Sequence, residues 1–308
     1  MSRFALARLL GLLFFLGITL PAAADDYTRT RYPIVLVHGI LSSSQVAGFS
    51  TFFNIPEQLG AGGATVYAVD VAVANSDEVR GENLITELEH LQALHGHAKF
   101  NLYGHSQGGF TARYVASVRP DLVASVTTFS TPHTGSRLAD LVGAVLPEGS
   151  PLRPLVATIV NAFATFNEWA AGNNNPTDIL AALNQLNSAG AAAFNQHYPQ
   201  GRPDTACGQG ANPVNGIYYY SFGGTATSTN LLDPSDALLT VTSLAFGSEP
   251  SDGITGKCSS HWGTVVRDNH LWNHLDATNQ IFGLRSLFSA DPAEVARTQA
   301  NRLKNLGL

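Results

Sequence analysis

Charge is scarce in this sequence. Charged residues make up 13% of its 308 positions, against a typical ~25% in soluble proteins. The 17 Lys and Arg are outnumbered by 23 Asp and Glu, giving a formal net charge of −6 at pH 7 with histidine neutral. No cluster of Lys or Arg stands out. Nucleic acid and anionic membrane surfaces bind through basic patches, so neither is expected as a partner.

Long hydrophobic runs are also missing, apart from one near the amino terminus. Two arginines precede an apolar stretch at 9–20, and small residues suited to a signal peptidase follow it. This is the layout of a secretory signal peptide, and the run is short for a membrane span. An uncleaved anchor is the alternative. We predict a signal peptide at 1–24 and, because no repeat or linker divides the rest, one catalytic domain at 25–308.

Sulfur is nearly absent. The only methionine is the initiator, so the mature chain has no thioether to oxidise. The two cysteines, Cys207 and Cys258, both lie in the mature part. An exported protein meets an oxidising compartment, which favours one disulfide between them. Two buried free thiols are the alternative.

The order of apolar runs and amphipathic stretches indicates the fold class. Strands are predicted at 34–37, 65–73, 100–103, 122–129 and 217–222, and helices at 78–94, 107–118, 179–197 and 291–306. Strands and helices alternate through the first half, which favours a mostly parallel sheet with helices on both faces, an α/β fold.

The strongest local signal is the pentapeptide Gly104-His105-Ser106-Gln107-Gly108, which matches Gly-x-Ser-x-Gly. A predicted strand comes directly before it and a predicted helix directly after. In α/β-hydrolases this strand–turn–helix holds the serine in a tight turn with its hydroxyl exposed, and the glycines prevent collisions with neighbouring chain. The context predicts the α/β-hydrolase fold with Ser106 as the nucleophile.

A serine nucleophile needs a histidine base and a carboxylate that orients it, and in this fold class the chain order is Ser, Asp or Glu, then His. The downstream candidates are His133, His197, His261, His270 and His274, with Asp233, Asp236, Asp252, Asp268 and Asp276. We prefer Asp252, on a Gly- and Ser-rich loop, with His274. Spacing alone leaves His261 and His270 open.

Backbone N–H groups are expected to stabilise the oxyanion. One should belong to Gln107, at the start of the helix that follows the nucleophile. The other should come from the loop after the first strand, where His38-Gly39 is followed by Ile40. An ordinary strand-end turn is the alternative reading of His-Gly.

Several further segments are more specific than the pentapeptide: 32–39 (YPIVLVHG), 78–82 (EVRGE), 114–122 (YVASVRPDL), 232–236 (LDPSD), 258–261 (CSSH) and 301–305 (NRLKN). With them the chain resembles, over nearly all of 25–308, the true lipases of Gram-negative bacteria typified by Pseudomonas and Burkholderia, most closely the Pseudomonas branch. Gln107 and Ile40 stand where many members have histidine and methionine.

The resemblance implies roles for individual residues. It places Ser106, Asp252 and His274 on the family's catalytic triad, and Ile40 and Gln107 on its two oxyanion donors. It pairs Cys207 with Cys258 as the family's disulfide. It also implies one structural calcium ion, with carboxylate ligands at Asp233 and Asp276 and carbonyl ligands at Gln280 and Leu284. Without the resemblance, Asp233 is a turn residue and Asp276 a helix cap.

The resemblance also implies a function. The apolar stretch at about 137–172 corresponds to a helical lid, although a buried helix pair is the alternative. We expect a secreted triacylglycerol lipase, exported through the periplasm with the help of a steric chaperone, that acts as a monomer on esters at an oil–water interface. A short-chain or polyester-type carboxylesterase is the nearest alternative, and a catalytically silent scaffold is the alternative of another class.

Overall fold

Six parallel strands form one sheet in the computed structural model, which describes residues 25–46, 49–144 and 177–308. The strands of this sheet are β1 (Ile34–Val37), β4 (Val66–Val69), β5 (Phe100–His105), β6 (Val123–Phe129), β7 (Tyr218–Gly224) and β8 (Thr264–His270). Their spatial order is β4-β1-β5-β6-β7-β8. Two short strands, β2 (Gln45–Val46) and β3 (Phe49–Ser50), form a separate antiparallel pair. The α/β class predicted from the alternation is confirmed.

Helices lie between the strands. Those of the described residues are α1 (Ile55–Ala61), α2 (Asp77–His95), α3 (Gln107–Val118), α4 (Arg137–Gly143), α5 (Ile179–Leu186), α6 (Ser188–His197), α7 (Ser235–Thr242) and α8 (Pro292–Asn305). None of them is both long and apolar enough to cross a lipid bilayer. The predicted signal peptide at 1–24 and positions 145–172 of the predicted lid lie outside the described residues.

Two hydrophobic clusters flank the sheet, one on each face. Successive side chains of a strand point to opposite faces, and all four residues of β1 are buried. Val35 and Val37 join a cluster with residues of α2 and α3, whereas Ile34 and Leu36 join a second cluster with residues of α1 and α8. The sheet is therefore covered on both sides, as predicted.

The predicted helix at 179–197 is two helices, so this expectation was wrong. Asn187 has an extended backbone between α5 and α6. Its side chain accepts a hydrogen bond from the Gly190 amide at 2.8 Å and so caps α6. Asn is a strong N-cap residue, whereas the hydrophobic periodicity of the segment continues across the break.

The predicted strand at 65–73 is shorter in the structure, where β4 ends at Val69. Beyond β4 the ladder to β1 ends, and Ala72 hydrogen-bonds to side chains of α2 instead of a neighbouring strand. The Ala72 amide donates to Asn83 at 3.0 Å, and the Arg80 guanidinium donates to the Ala72 carbonyl. Apolar composition marks burial here, but not strand pairing.

A disulfide joins Cys207 and Cys258, whose Cα atoms are 4.4 Å apart, and confirms the predicted pairing. The bond closes a loop of 51 residues in sequence. We expect replacement of both cysteines by serine to lower the free energy of unfolding by about 4 kcal/mol, because the denatured chain regains loop entropy. Chemical denaturation of the double variant beside the oxidised parent measures this. A loss below about 1 kcal/mol would contradict the expectation.

Candidate active site

Ser106 lies in a sharp turn between β5 and α3. Its backbone has φ 54° and ψ −126°, which is uncommon for a residue with a side chain. The Ser106 amide donates to the carbonyl of Phe129 on β6 at 2.9 Å, and the Ser106 carbonyl accepts from the Gly109 amide at 3.1 Å. The turn is therefore held at both ends, and the serine is kept at the carboxyl edge of the sheet.

The glycines of the pentapeptide are required by close backbone approach. A Cβ atom at Gly104 would lie 2.4 Å from the carbonyl oxygen of Gly108. One at Gly108 would lie 2.2 Å from the carbonyl oxygen of Val37 on β1. Neither neighbour is a flexible side chain that can move aside. The Gly-x-Ser-x-Gly spacing of the pentapeptide thus reflects the close packing of α3 against β1 and β5.

We expect Gly108→Ala to destabilise the fold by about 3 kcal/mol or more, because the added methyl group meets a fixed backbone carbonyl. Gly60→Ala in α1 is the matched control, since no atom lies within 4 Å of a Cβ placed there. That change should be neutral or stabilising, because alanine is the better helix former. Thermal unfolding of both variants measures the difference. Equal melting temperatures for Gly108→Ala and the parent would contradict the packing argument.

Ser106, His274 and Asp252 form one hydrogen-bonded chain. The Ser106 hydroxyl lies 2.9 Å from His274 Nε2, and His274 Nδ1 lies 3.0 Å from Asp252 Oδ2. All three residues are buried. A carboxylate accepts only, so Nδ1 carries the proton and Nε2 is left to accept from the serine. This arrangement can deprotonate the hydroxyl as it attacks an ester.

Asp252 is fixed by more than its contact with His274. Its other carboxylate oxygen, Oδ1, accepts from the backbone amides of Ile254 at 3.0 Å and Thr255 at 2.7 Å. The His274 amide donates to the Asp252 carbonyl at 2.9 Å, which joins the two loops directly. The orientation of the imidazole is therefore set by both side chain and backbone.

His105 supports the backbone of His274 through a hydrogen bond. Its Nε2–H donates to the His274 carbonyl at 2.9 Å. Burial, with the neighbouring His274 as a further cause, lowers the pKa of His105 to about 3. His105 is therefore neutral and carries its single proton at this hydrogen bond. Sequence reasoning missed this residue, although it occupies the variable position of the pentapeptide just before the nucleophile.

The other candidate histidines lie elsewhere. His261 pairs with Asp268 at 3.0 Å, and His270 stacks on Trp272 with ring centroids 3.8 Å apart. His133 is buried beside Arg113, and His197 is exposed at the end of α6. The structure thus brings only His274 of the five to Ser106, within the described residues.

The loop after β1 packs against the serine turn. A Cβ atom at Gly39 would lie 2.8 Å from the Ser106 Cβ, and Gln107 is the first residue of α3. His38 Nδ1–H donates to the Gly39 carbonyl at 2.8 Å, while the Val71 amide donates to His38 Nε2 at 3.2 Å. Burial, followed by the charge of Arg80, lowers the pKa of His38 to about 3.

These contacts orient the Ile40 amide. The Gly39 carbonyl and the Ile40 N–H belong to one planar peptide and point in opposite directions. Fixing the carbonyl with His38 therefore fixes the N–H. Sequence reasoning named Ile40 but gave His38 no role, because the peptide direction depends on contacts with α2 and with the segment after β4, which are distant in sequence.

A cavity of about 360 Å³ opens at the serine turn. Ser106 and His274 form part of its wall, with Gly39 and Ile40 beside them. Most of the remaining wall is aliphatic and comes from three helices and the loop after Asp252: Leu138, Ala139, Val142, Leu183, Leu186, Leu238, Leu239 and Ile254. The site can accept a long apolar group next to the reactive hydroxyl.

Three carboxylates lie together just beyond His274. The side-chain amide of Asn273 donates to Asp233 at 3.3 Å and to Asp236 at 2.8 Å, and its backbone amide donates to Asp276 at 3.0 Å. Burial, reinforced by the charges of Asp233 and Asp236, raises the pKa of Asp276 to about 7. Asp276 Oδ1 is buried and has no hydrogen-bond partner among the described residues.

Asp233 and Asp276, the two predicted carboxylate ligands, are of the donor type that calcium takes. Calcium takes hard oxygen ligands from carboxylates and backbone carbonyls, and an added cation would relieve the repulsion between the acids. Gln280 and Leu284 follow Asp276 on tight turns, with the Gln280 amide donating to the Leu275 carbonyl at 3.1 Å. Among the described residues, no group of three or more His, Cys, Asp or Glu side chains is arranged to hold a metal. The predicted calcium site needs only two carboxylates, from Asp233 and Asp276, together with two backbone carbonyls.

Comparison with known proteins agrees with the fold. Residues 32–224 match the alpha/beta hydrolase fold family. The triacylglycerol lipase of Vibrio cholerae is 49% identical over 285 residues, covering 92% of this chain and 91% of that protein. The triacylglycerol lipase of Pseudomonas fragi is 39% identical over 293 residues (92% and 100%), and that of Burkholderia plantarii is 38% identical over 334 residues (95% and 92%). The crystal structure of Staphylococcus hyicus lipase superposes with a TM-score of 0.60 at 18% identity, covering 90% of this chain and 98% of that one.

The chain therefore belongs to the α/β-hydrolase family. Within it, the chain groups with the proteins named triacylglycerol lipase from Vibrio, Pseudomonas and Burkholderia. The predicted family resemblance is confirmed. The chain is almost equally identical to the Pseudomonas protein (39%) and the Burkholderia protein (38%). A closer relationship to the Pseudomonas branch therefore stays a prediction.

Proposed function

We propose that this protein is a triacylglycerol lipase that uses Ser106, His274 and Asp252 as its catalytic triad. The observation that carries the proposal is the hydrogen-bonded chain of these three residues at the wall of an aliphatic cavity. The names of relatives 38–49% identical over most of the chain support the same activity.

The chemistry follows from the hydrogen bonds. Ser106 Oγ attacks the ester carbonyl carbon while its proton passes to His274 Nε2, and the carbonyl oxygen becomes an oxyanion. The Ile40 and Gln107 amides stabilise that charge. His274 then protonates the departing glycerol oxygen, which leaves an acyl group on Ser106. A water molecule, deprotonated by His274, releases the fatty acid and restores the serine.

The cavity wall supports a long-chain substrate. Leu138, Ala139 and Val142 line it from α4, which lies in the described part of the predicted lid, 137–144. The larger part, at 145–172, is rich in Leu, Val, Ala and Phe. We propose that this segment covers the site in water and opens at a lipid surface.

The calcium site is part of the proposal. Asp233 and Asp276 would contribute carboxylates, and Gln280 and Leu284 carbonyls. The bound ion would neutralise the buried acids and stabilise the loop that carries His274, without contacting the substrate. We expect a chelator to lower the melting temperature by about 5–10 °C, which corresponds to the ~2.7 kcal/mol supplied by a ligand at 100 times its dissociation constant.

Differential scanning calorimetry with and without chelator measures this stabilisation. Calcium should restore the melting temperature, and the Asp276→Asn variant should no longer respond to calcium. Asp268→Asn, which changes an acid outside the cluster, should keep the full response. A melting temperature that is indifferent to chelation would contradict the calcium site.

Two further proposals concern the export and folding of the protein. Residues 1–24 would be removed on export before Asp25, and a steric chaperone in the periplasm would assist folding before secretion. Amino-terminal sequencing of the secreted protein tests the first. Recovery of active protein with and without the co-expressed chaperone tests the second.

The function itself is tested by comparing an emulsified long-chain triglyceride with a soluble short-chain ester. We expect the rate on the triglyceride to rise steeply once its concentration exceeds solubility. Hydrolysis of the soluble ester alone would favour the carboxylesterase alternative. Folded protein without activity on either substrate would favour a silent scaffold.

A further inference from the structure

Four large apolar side chains lie in solvent on two loops beside the cavity. Leu231 and Leu232 precede α7, and Leu287 and Phe288 precede α8; we call these four residues the two-loop patch. Leu287 and Phe288 are 95% and 92% exposed, and Leu232 is 77% exposed. Contiguous exposed apolar surface on a soluble protein marks a contact site.

Hydrogen bonds fix both loops in this arrangement. Asp236 Oδ2 accepts from the Asn230 amide at 2.8 Å, and the Asn230 side chain donates to the Arg285 carbonyl at 3.0 Å. The Arg285 guanidinium in turn pairs with Asp291 at 2.9 Å. These polar contacts tie the loops to each other and to the body of the protein, while the four apolar side chains remain outside.

The patch adjoins the mouth of the cavity. Leu231 follows Asn230 directly, and Leu287 is two residues beyond Arg285, within about 7 Å of it along the chain. Leu232 is three residues before Ser235, a cavity-lining residue, and so lies within about 11 Å of it.

Helix α7 extends the apolar surface from the cavity. Leu238 both lines the cavity and is 45% exposed. Val241 on the same helix is also exposed, as is Leu244 just beyond the end of the helix. Exposed apolar side chains therefore continue from the cavity wall along this helix, and the two-loop patch lies near its amino-terminal end.

The surface carries no free charge. Asp233, Asp236 and Arg285 are the only charged residues in 229–246 and 280–290. Both acids are buried, and Arg285 is paired with Asp291. Anionic headgroups bind through Lys and Arg, so this chemistry fits a neutral, apolar partner.

We propose that the two-loop patch is an interfacial anchor that docks the protein onto a droplet of neutral ester, with the cavity mouth facing the droplet. The proposal rests on the proposed lipase function but concerns residues outside the predicted lid at 137–172. Binding through the patch places the cavity at the substrate surface whether the lid is closed or open.

Flotation of the full-length secreted protein with triglyceride droplets tests the anchor. The Ser106→Ala background prevents hydrolysis from altering the droplet surface. Leu287→Ser with Phe288→Ser, and separately Leu231→Ser with Leu232→Ser, should each lower the partition coefficient about tenfold or more, since burial of such side chains drives adsorption. Leu94→Ser should not change it: Leu94 is 61% exposed, but lies at the end of α2, at the amino edge of the sheet.

Two further measurements complete the test. With Ser106 intact, the double variants should retain their kcat/KM on a soluble short-chain ester, which shows that fold and triad are unaffected. Vesicles of anionic phospholipid should bind the parent no better than neutral vesicles do.

Three results would overturn the anchor: unchanged partitioning of both double variants, stronger binding to anionic vesicles, or a dimer of the parent in sedimentation velocity that the substitutions dissociate. The last result would assign the patch to a second copy of the chain. If the unmutated protein binds droplets through the patch but does not hydrolyse triglyceride, the lipase function is wrong and the anchor proposal still holds.

Discussion

Replacing Ser106 by alanine is expected to lower kcat on emulsified triglyceride on the order of a million-fold, as loss of a triad nucleophile does in other serine hydrolases. The methyl side chain cannot form the acyl-enzyme, and His274 then has no hydroxyl proton to accept. The cavity and the oxyanion donors are retained, so the variant should still bind substrate and melt at the temperature of the parent.

Ser117→Ala is the matched control for this substitution. Ser117 lies on the same helix, α3, where its hydroxyl donates to the Arg113 carbonyl at 2.9 Å, and it does not line the cavity. Its activity should equal that of the parent. Titration of released fatty acid measures both variants, and more than about 1% residual activity in Ser106→Ala would exclude that residue as the nucleophile.

Asp252→Asn is expected to lower kcat about 10⁴-fold with little change in KM. The Ile254 and Thr255 amides both donate to Oδ1, so the amide oxygen of an asparagine must occupy that position. Its NH₂ group then faces His274 Nδ1 and donates to it. The imidazole is forced to carry its proton on Nε2, where it can no longer accept from Ser106.

Asp268→Asn provides the comparison, because Asp268 forms a similar aspartate–histidine pair with His261 outside the cavity. Its kcat should stay within about twofold of the parent. Stopped-flow measurement of the acylation burst locates the Asp252 effect in the step that forms the acyl-enzyme. A fall of less than tenfold would mean that Asp252 does not set the tautomer.

Local sequence predicted the serine turn well, because its requirements are local. The strand before Ser106, the helix after it and the glycines at 104 and 108 are contiguous in the chain. The helix predicted at 107–118 has the same bounds in the structure. The break at Asn187 was missed, because one capping side chain ends a helix without interrupting its hydrophobic pattern.

The partners of Ser106 are distant in sequence. Spacing left His261, His270 and His274 open, and the preference for His274 became specific only through the family resemblance. The structure explains the ambiguity: His261 has an aspartate partner of its own, so an Asp–His pair alone does not distinguish a catalytic site.

Positioning contacts were beyond the reach of sequence reasoning. His105 supports His274 across 169 residues, and His38 accepts from Val71 across 33. Neither contact follows a motif. The first depends on how β5 and the loop after β8 meet at the carboxyl edge of the sheet, and the second on how the segments after β1 and β4 meet there.

The most direct test of the account is covalent labelling with a p-nitrophenyl alkylphosphonate followed by peptide mapping. The phosphorus atom is attacked by an activated serine and remains bound to its oxygen, with nitrophenolate as the leaving group. We predict one label per chain, on Ser106, absent in Ser106→Ala and formed far more slowly in Asp252→Asn. A label on another serine, or no label on folded protein, would contradict the central assignment.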